Sequence, residues 1–201
     1  CALPIYVIDS WISRKGETHD FGDKLKTDTE YILRETIAPD GYKYATDIEF
    51  KVEKDGTITT NAKYVEDENG NKTYLMEDDT TKVTVTKLDD NKETVVGATL
   101  QIRKEGEEEA VETWTTDGNS HDITGKLVAG TTYVLEETNV PAGYVAADSI
   151  TFTVEADGTI TVDGEPVEGN LLTLIDKRIH FNVNKVELGS GNEVEGAELT
   201  V

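Results

Sequence analysis

A lysine, a glutamate and an aspartate each extend an apolar row in a separate stretch of this chain. Val83 and Val85 lead to Lys87, Tyr133 and Leu135 lead to Glu137, and Leu172 and Leu174 lead to Asp176. Side chains two residues apart share one face of a β-strand, so each charge faces the way of the apolar residues before it. Burying an ionised group costs several kcal/mol unless it is paired or neutralised. Two chemistries fit. The three groups can form an ordinary buried salt bridge. Alternatively, apolar surroundings favour uncharged forms, which sets a neutral amine, a nucleophile, against a protonated carboxyl open to attack at its carbon. The glutamate then relays protons as the amine adds and water leaves. The product is a Lys–Asp isopeptide bond, formed once without turnover.

The elements that must position these groups occur twice. Tyr133-Val-Leu-Glu-Glu-Thr-Asn-Val-Pro-Ala-Gly-Tyr144 repeats Tyr31-Ile-Leu-Arg-Glu-Thr-Ile-Ala-Pro-Asp-Gly-Tyr42, an offset of 102 (31 to 133). Each copy reads as a strand followed by a turn, where proline presets φ and glycine permits φ > 0. Asp55-Gly-Thr-Ile-Thr59 returns as Asp157-Gly-Thr-Ile-Thr161, and Trp11 returns as Trp114, with Thr18-His-Asp20 near Ser120-His-Asp122. A hairpin loop four residues shorter in the second copy changes the offset to 98. Asp78 then matches Asp176, Lys82-Val-Thr-Val-Thr-Lys87 returns as His180-Phe-Asn-Val-Asn-Lys185, and Gly97–Ile102 returns, at an offset of 99 (97 to 196), as Gly196–Val201. A second set of groups follows: Lys185 on a row with Phe181 and Val183, Glu35 with Tyr31 and Leu33, and Asp78 with Tyr74 and Met76. Glu77, Asp79 and Glu136 flank these acids, and strand parity selects Asp78 and Glu137 over them.

The period divides the chain into residues 1–79, a unit without its lysine-bearing first strand; residues 80–178, a complete unit; and residues 179–201, an extra copy of the missing strand. The extra copy either begins a further domain or completes 1–79, in the same chain or head-to-tail in another copy of it. Open sheet edges favour such strand addition.

Helical periodicity is nearly absent. Alternating runs such as Ile48–Val52, Ala98–Ile102, Ile150–Thr-Phe-Thr-Val154 and Leu171–Ile175 lie between Asp-Gly and Asn-Gly turns, which predicts an all-β sandwich architecture. The net charge of −22 excludes nucleic acid as a partner, since phosphates would be repelled, and disfavours an anionic membrane surface. One cysteine, Cys1, rules out an internal disulfide and is assigned no role. Neither a signal peptide nor an apolar run able to span a bilayer is recognisable, so the chain is expected to be part of something longer. No cofactor or metal is implied. His19, His121 and His180 lack metal-ligand spacing, and Asp67-Glu-Asn-Gly-Asn71 lacks the glycine position and terminal glutamate of a calcium loop. Trp11 and Trp114 read as core or edge packing. Carboxylates beside a lysine on core rows do not form a glycosidase cleft.

The lysine strand, the Tyr-x-Leu-x-Glu-Thr-x-x-Pro-x-Gly-Tyr signature and the aspartate of the last strand together resemble the CnaB-type domains of pilins and adhesin stalks on Gram-positive bacteria. The resemblance covers essentially the whole chain. It implies two tandem transthyretin-like or Ig-like β-sandwiches in an extracellular, cell-wall-attached surface protein, with neighbouring repeat domains as partners. It further implies that Lys87 joins Asp176 with Glu137 as catalyst, and that Lys185 is matched to Asp78 and Glu35. The expected function is a structural stalk. The alternative is an adhesin module whose loops or tryptophans recognise a host protein or glycan.

Overall fold

The computed structural model describes residues 6–201; Cys1 lies outside them. Five strands precede residue 80: β1 (Thr29–Leu33), β2 (Ile48–Val52), β3 (Ile58–Thr60), β4 (Tyr64–Glu66) and β5 (Lys72–Tyr74). Ten follow it: β6 (Thr84–Asp89), β7 (Val96–Lys104), β8 (Ala110–Asp117), β9 (His121–Asp122), β10 (Thr131–Asn139), β11 (Tyr144–Val145), β12 (Ile150–Val154), β13 (Ile160–Val162), β14 (Glu165–Pro166) and β15 (Leu171–Arg178). Apart from a single 3₁₀ turn at Glu168–Asn170, the described residues are strand, turn and loop, the all-β class that the alternation implies. No helix among them is long and apolar enough to cross a membrane.

The second unit is a sandwich of two sheets. One has the order β14-β13-β12-β10-β7-β8 and the other β11-β15-β6-β9. Alternation drives the packing: β6 buries Val85, Lys87 and Asp89, and β15 buries Leu172, Leu174 and Asp176. The inward rows meet in a core of Leu100, Ile102, Ile123, Leu127, Tyr133, Leu135, Phe152, Ile160 and Leu174. The first and last strands, β6 and β15, lie side by side and parallel, while every other pairing is antiparallel. Parallel neighbours expose no hairpin between them, so they are joined only through the intervening chain.

The first unit reproduces half of this. Its sheet β1-β2-β3 pairs Tyr31 with Phe50 as the second unit pairs Tyr133 with Phe152. Each signature tyrosine also accepts a loop N–H on its hydroxyl at 2.8 Å, from Lys26 in one unit and Val128 in the other. Strands equivalent to β6 and β7 are missing from residues 6–79. Their sequence counterparts, residues 180–185 and 196–201, form no strand among the described residues: Phe181 is 82% exposed and Val183 63%. A strand needs a run of hydrogen-bonded neighbours, and these residues have only the Val194 N–H on the Lys185 carbonyl, beside the isolated Val186–Glu193 bridge. The expected row Tyr74–Met76–Asp78 also ends early, because β5 stops at Tyr74. The lysine-bearing first strand of the second unit runs from Thr84 to Asp89.

The two sheets of the second unit are pinned at one edge by a stacked pair. Trp114 of edge strand β8 and His121 of edge strand β9 lie with ring centroids 4.3 Å apart and 9° from parallel. Glu112 contacts His121 Nε2 at 3.1 Å and Lys126 Nζ at 2.8 Å. The first unit repeats this group: Trp11 stacks on His19 at 3.9 Å, and Asp9 contacts His19 and Lys24 at 2.7 and 2.6 Å. The Lys126 ammonium first, and His121 second, hold the Glu112 carboxyl below its ordinary value of 4.5 against the opposing effect of burial. A depressed carboxyl stabilises the fold above its unfolded value and loses that contribution as pH falls through its lower folded value. Glu112→Gln is therefore expected to lower stability at neutral pH by at most about 1 kcal/mol, the scale of partly exposed ion pairs. The deficit should shrink as pH drops below 4.5, as checked by thermal unfolding of both proteins across the acid range.

Candidate functional site

Lys87 reaches the interior from β6, Asp176 from the parallel neighbour β15, and Glu137 from β10 of the opposite sheet. The three side chains are 1%, 0% and 0% exposed. Lys87 Nζ donates to Glu137 Oε2 at 3.0 Å and to Asp176 Oδ1 in a still closer contact. Cross-strand register explains the geometry: Leu174 lies opposite Lys87, and Asp176 is the next inward residue of β15. Parity resolves the flanking acids as well. Glu136 faces outward, where Gln101 and Arg103 donate to its Oε1 at 2.7 and 2.9 Å.

The charges do not balance. One ammonium faces two carboxyls, and Asp176 Oδ2 and Glu137 Oε1 are buried without a hydrogen-bond partner. Burial pushes the Glu137 carboxyl above its usual range; the hydrogen bond from Lys87 opposes this and the neighbouring Asp176 adds to it. A single shared proton brings the group to neutrality. With that proton on the aspartate and the lysine proton passed to the glutamate, the group holds a free amine against a carboxylic acid. This is the arrangement that condensation requires.

The Pro-x-Gly-Tyr turn brings a fourth group into the site. Gly143, at φ +94°, reverses the chain after β10, and β11 then runs antiparallel to β15, with Tyr144 opposite Arg178 and Val145 opposite Lys177. The Ala147 N–H thereby arrives between the carboxyls, 2.9 Å from Asp176 Oδ1 and 3.3 Å from Glu137 Oε2. Sequence reasoning passed over this donor because a main-chain amide has no side-chain signature. It also passed over Asp89, buried on β6 beyond Lys87. Asp89 Oδ1 accepts the N–H groups of Asn91 and Glu93 at 2.8 and 2.9 Å, and its Oδ2 faces Arg178 Nε at 3.3 Å. The two charges attract across the ends of β15 and β6, although neither atom has a hydrogen-bond partner.

In the first unit the same path recurs. Tyr42 bridges Thr80 as Tyr144 pairs with Arg178, and the Thr81 N–H meets the Gly41 carbonyl at 2.9 Å as Ile179 meets Gly143 at 2.8 Å. Ala45 N–H donates to Glu35 Oε2 at 2.8 Å, as Ala147 does to Glu137. Asp78 and Ala45 line one open cleft of about 580 Å³. Glu77 and Asp79 line it as well, each with a cation: Glu77 binds Lys63 at 2.5 Å, and Asp79 faces Lys43, also of the lining, at 3.2 Å. Lys185 lies in the exposed tail, away from this cleft, so the structure does not bring it to Asp78 or Glu35. Asp67 Oδ1 accepts the N–H groups of Asn69 and Asn71, which occupies the carboxylate of that hairpin tip, and no cluster of metal-ligating groups occurs among the described residues.

The sequence profile of the SpaA prealbumin-like fold domain matches residues 6–66 and 81–167. The chain belongs to this family. Solved structures similar to this SpaA-type chain include the C-terminal fragment of pilus adhesin SpaC from Lactobacillus rhamnosus GG, at 21% identity over 79% of each chain and a TM-score of 0.44. The open conformation of SpaC matches 77% of this chain at 22% identity and a TM-score of 0.43, and the match spans 25% of that adhesin. A mutant of shaft pilin SpaA from the same organism matches at 19% identity over 77% of this chain and 64% of its own, with a TM-score of 0.39. No curated protein sequence matches the chain.

The two signature glycines respond differently to a side chain. A Cβ on Gly143 meets nothing within 4 Å, whereas one on Gly41 collides with the Gly125 carbonyl oxygen, where the two units touch. Gly143→Ala should cost about 1 kcal/mol for a left-handed residue alone, and Gly41→Ala distinctly more. Urea unfolding of the two variants checks the order.

Proposed function

We propose that this chain is a load-bearing segment of a Gram-positive surface adhesin or pilin, anchored to the cell wall, whose units are clamped by self-formed Lys–Asp isopeptide bonds. The observation that carries the reading is the contact of the Lys87 amine with both Asp176 and Glu137 in a fully buried, charge-unbalanced group. Residues 80–178 act as one domain. The neutral Lys87 amine attacks the Asp176 carboxyl carbon, the protonated Glu137 gives its proton to the departing hydroxyl, which leaves as water, and Glu137 takes back the proton that the nitrogen sheds.

Mechanics supports the assignment. Force entering before β6 and leaving after β15 shears a parallel pair from opposite ends. A bond from Lys87 to Asp176 carries that force across directly and leaves residues 88–175 outside the load path. It also closes a loop across an 89-residue separation, which by analogy with a disulfide stabilises the fold by roughly 4–5 kcal/mol.

Residues 1–79 form the acceptor half of a second clamp. Asp78 and Ala45 line an open cleft and Glu35 accepts the Ala45 N–H, which supports this reading, and the tail of a second copy supplies Lys185 from a segment whose apolar row, Phe181 and Val183, is exposed. Residues 196–201 extend β1 as β7 extends β10. Units then join head-to-tail.

Intact mass and a denaturing gel test both parts. The wild-type monomer should weigh one water less than its sequence, and concentrated protein should give a ladder that resists denaturant. Glu137→Ala should retain the full mass, Glu136→Ala should lose the water, and Asp78→Ala should abolish the ladder while leaving the monomer's deficit. An unchanged wild-type mass would leave only a buried salt bridge, and a deficit without a ladder would remove the head-to-tail clamp.

A further inference from the structure

We propose that the main-chain N–H of Ala147 is a catalytic group: it holds the oxyanion that forms on Asp176 as Lys87 adds. The inference rests on the isopeptide reading and assigns a step that the side chains leave open. Addition of the amine to the Asp176 carbon turns one carboxyl oxygen into an alkoxide and leaves the other as a hydroxyl. The glutamate must handle two proton transfers, off the nitrogen and onto the leaving hydroxyl, and cannot also neutralise the alkoxide. Lys87 itself stops being a donor to that oxygen once its nitrogen joins the carbon.

The remaining donor is the Ala147 amide. It lies 2.9 Å from Asp176 Oδ1 before reaction, and this oxygen, as it becomes the oxyanion, is the one an amide so aimed can hold. Oδ1 therefore becomes the alkoxide. Oδ2, buried and without a partner, becomes the hydroxyl, accepts the proton from Glu137 and leaves as water. The alkoxide collapses to the amide carbonyl, one C–O bond breaks for the one C–N bond made, and protons are conserved.

Two observations support a donor built in advance of the reaction. In the first unit no counterpart of Lys87 lies in the cleft, yet Ala45 N–H already donates to Glu35 Oε2 at 2.8 Å, and Ala45 and Asp78 line the same cleft. In both units the amide is aimed by the same device, a left-handed glycine (φ +83° at Gly41, +94° at Gly143) followed by antiparallel pairing to the aspartate's own segment. The Pro-x-Gly-Tyr signature thus serves the chemistry: it turns the strand that carries the glutamate so that its own continuation delivers a donor to the aspartate.

The test replaces residue 147 with lactic acid in the full chain by α-hydroxy-acid incorporation, exchanging N–H for O and keeping the methyl group. Water loss is followed by intact mass after refolding, with near-UV circular dichroism reporting the fold. The ester protein should fold and lose water about 100-fold more slowly than wild type, the cost of removing one oxyanion donor. Equal rates would overturn the proposal. If the ester protein fails to fold, wild-type NMR decides: a scalar coupling between the Ala147 amide nitrogen and the Asp176 side-chain carbonyl carbon is expected in the reacted protein, and its absence would overturn the assignment. A wild-type chain that never loses water would overturn the proposal together with the isopeptide reading, whereas loss at an unaltered rate in the ester protein would overturn this proposal alone.

Discussion

One ammonium and two carboxyls, sealed from water between two sheets, impose the constraint on which the rest of this structure depends. Neither the pairing nor the packing neutralises them: two carboxyl oxygens have no partner, and desolvation makes every unpaired charge costly. Ordinary sandwich domains fill such positions with aliphatic residues. Here Lys87 and Asp176 come from the two parallel strands and Glu137 from the facing sheet, so any change in strand register would separate them. On the isopeptide proposal, condensation would remove two of the three charges from the problem.

The surroundings hold these groups in register. The stacked Trp114–His121 pair fixes one edge of the sandwich, the Asp89–Arg178 attraction spans the ends of β6 and β15, and the glycine turn fixes β11 against β15. The first unit keeps the same turn, the same glutamate and the same stacked tryptophan and histidine, with its cleft open. Comparison of the units therefore shows that the contact between the glutamate and the amide after the turn forms with no counterpart of β6 beside it.

Much of this was legible in the sequence because strand geometry has a period of two. Counting by twos from Val83, Tyr133 and Leu172 reaches Lys87, Glu137 and Asp176, and the 102-residue repeat separates Glu137 from Glu136. The same counting misjudged how Asp78 is held: β5 ends at Tyr74, and the Tyr42–Thr80 bridge positions the aspartate instead. Residues 180–185 carry a strand pattern but pair only at Lys185, whose carbonyl accepts the Val194 N–H, and pattern alone cannot supply a sheet. The Ala147 amide has no signature in residue types. The Trp–His–carboxylate–Lys groups did leave one, since Asp9, Trp11, His19 and Lys24 recur as Glu112, Trp114, His121 and Lys126, but their meaning depends on two edges meeting in space.

The central claim is that Lys87 and Asp176 share a covalent bond. Electron density from crystals of the protein tests it most directly. The account predicts continuous density from Lys87 Nζ to Asp176 Cγ, planar as an amide, with one aspartate oxygen gone and the other on the Ala147 N–H. Two separate side chains at hydrogen-bond distance, with both aspartate oxygens present, would contradict it.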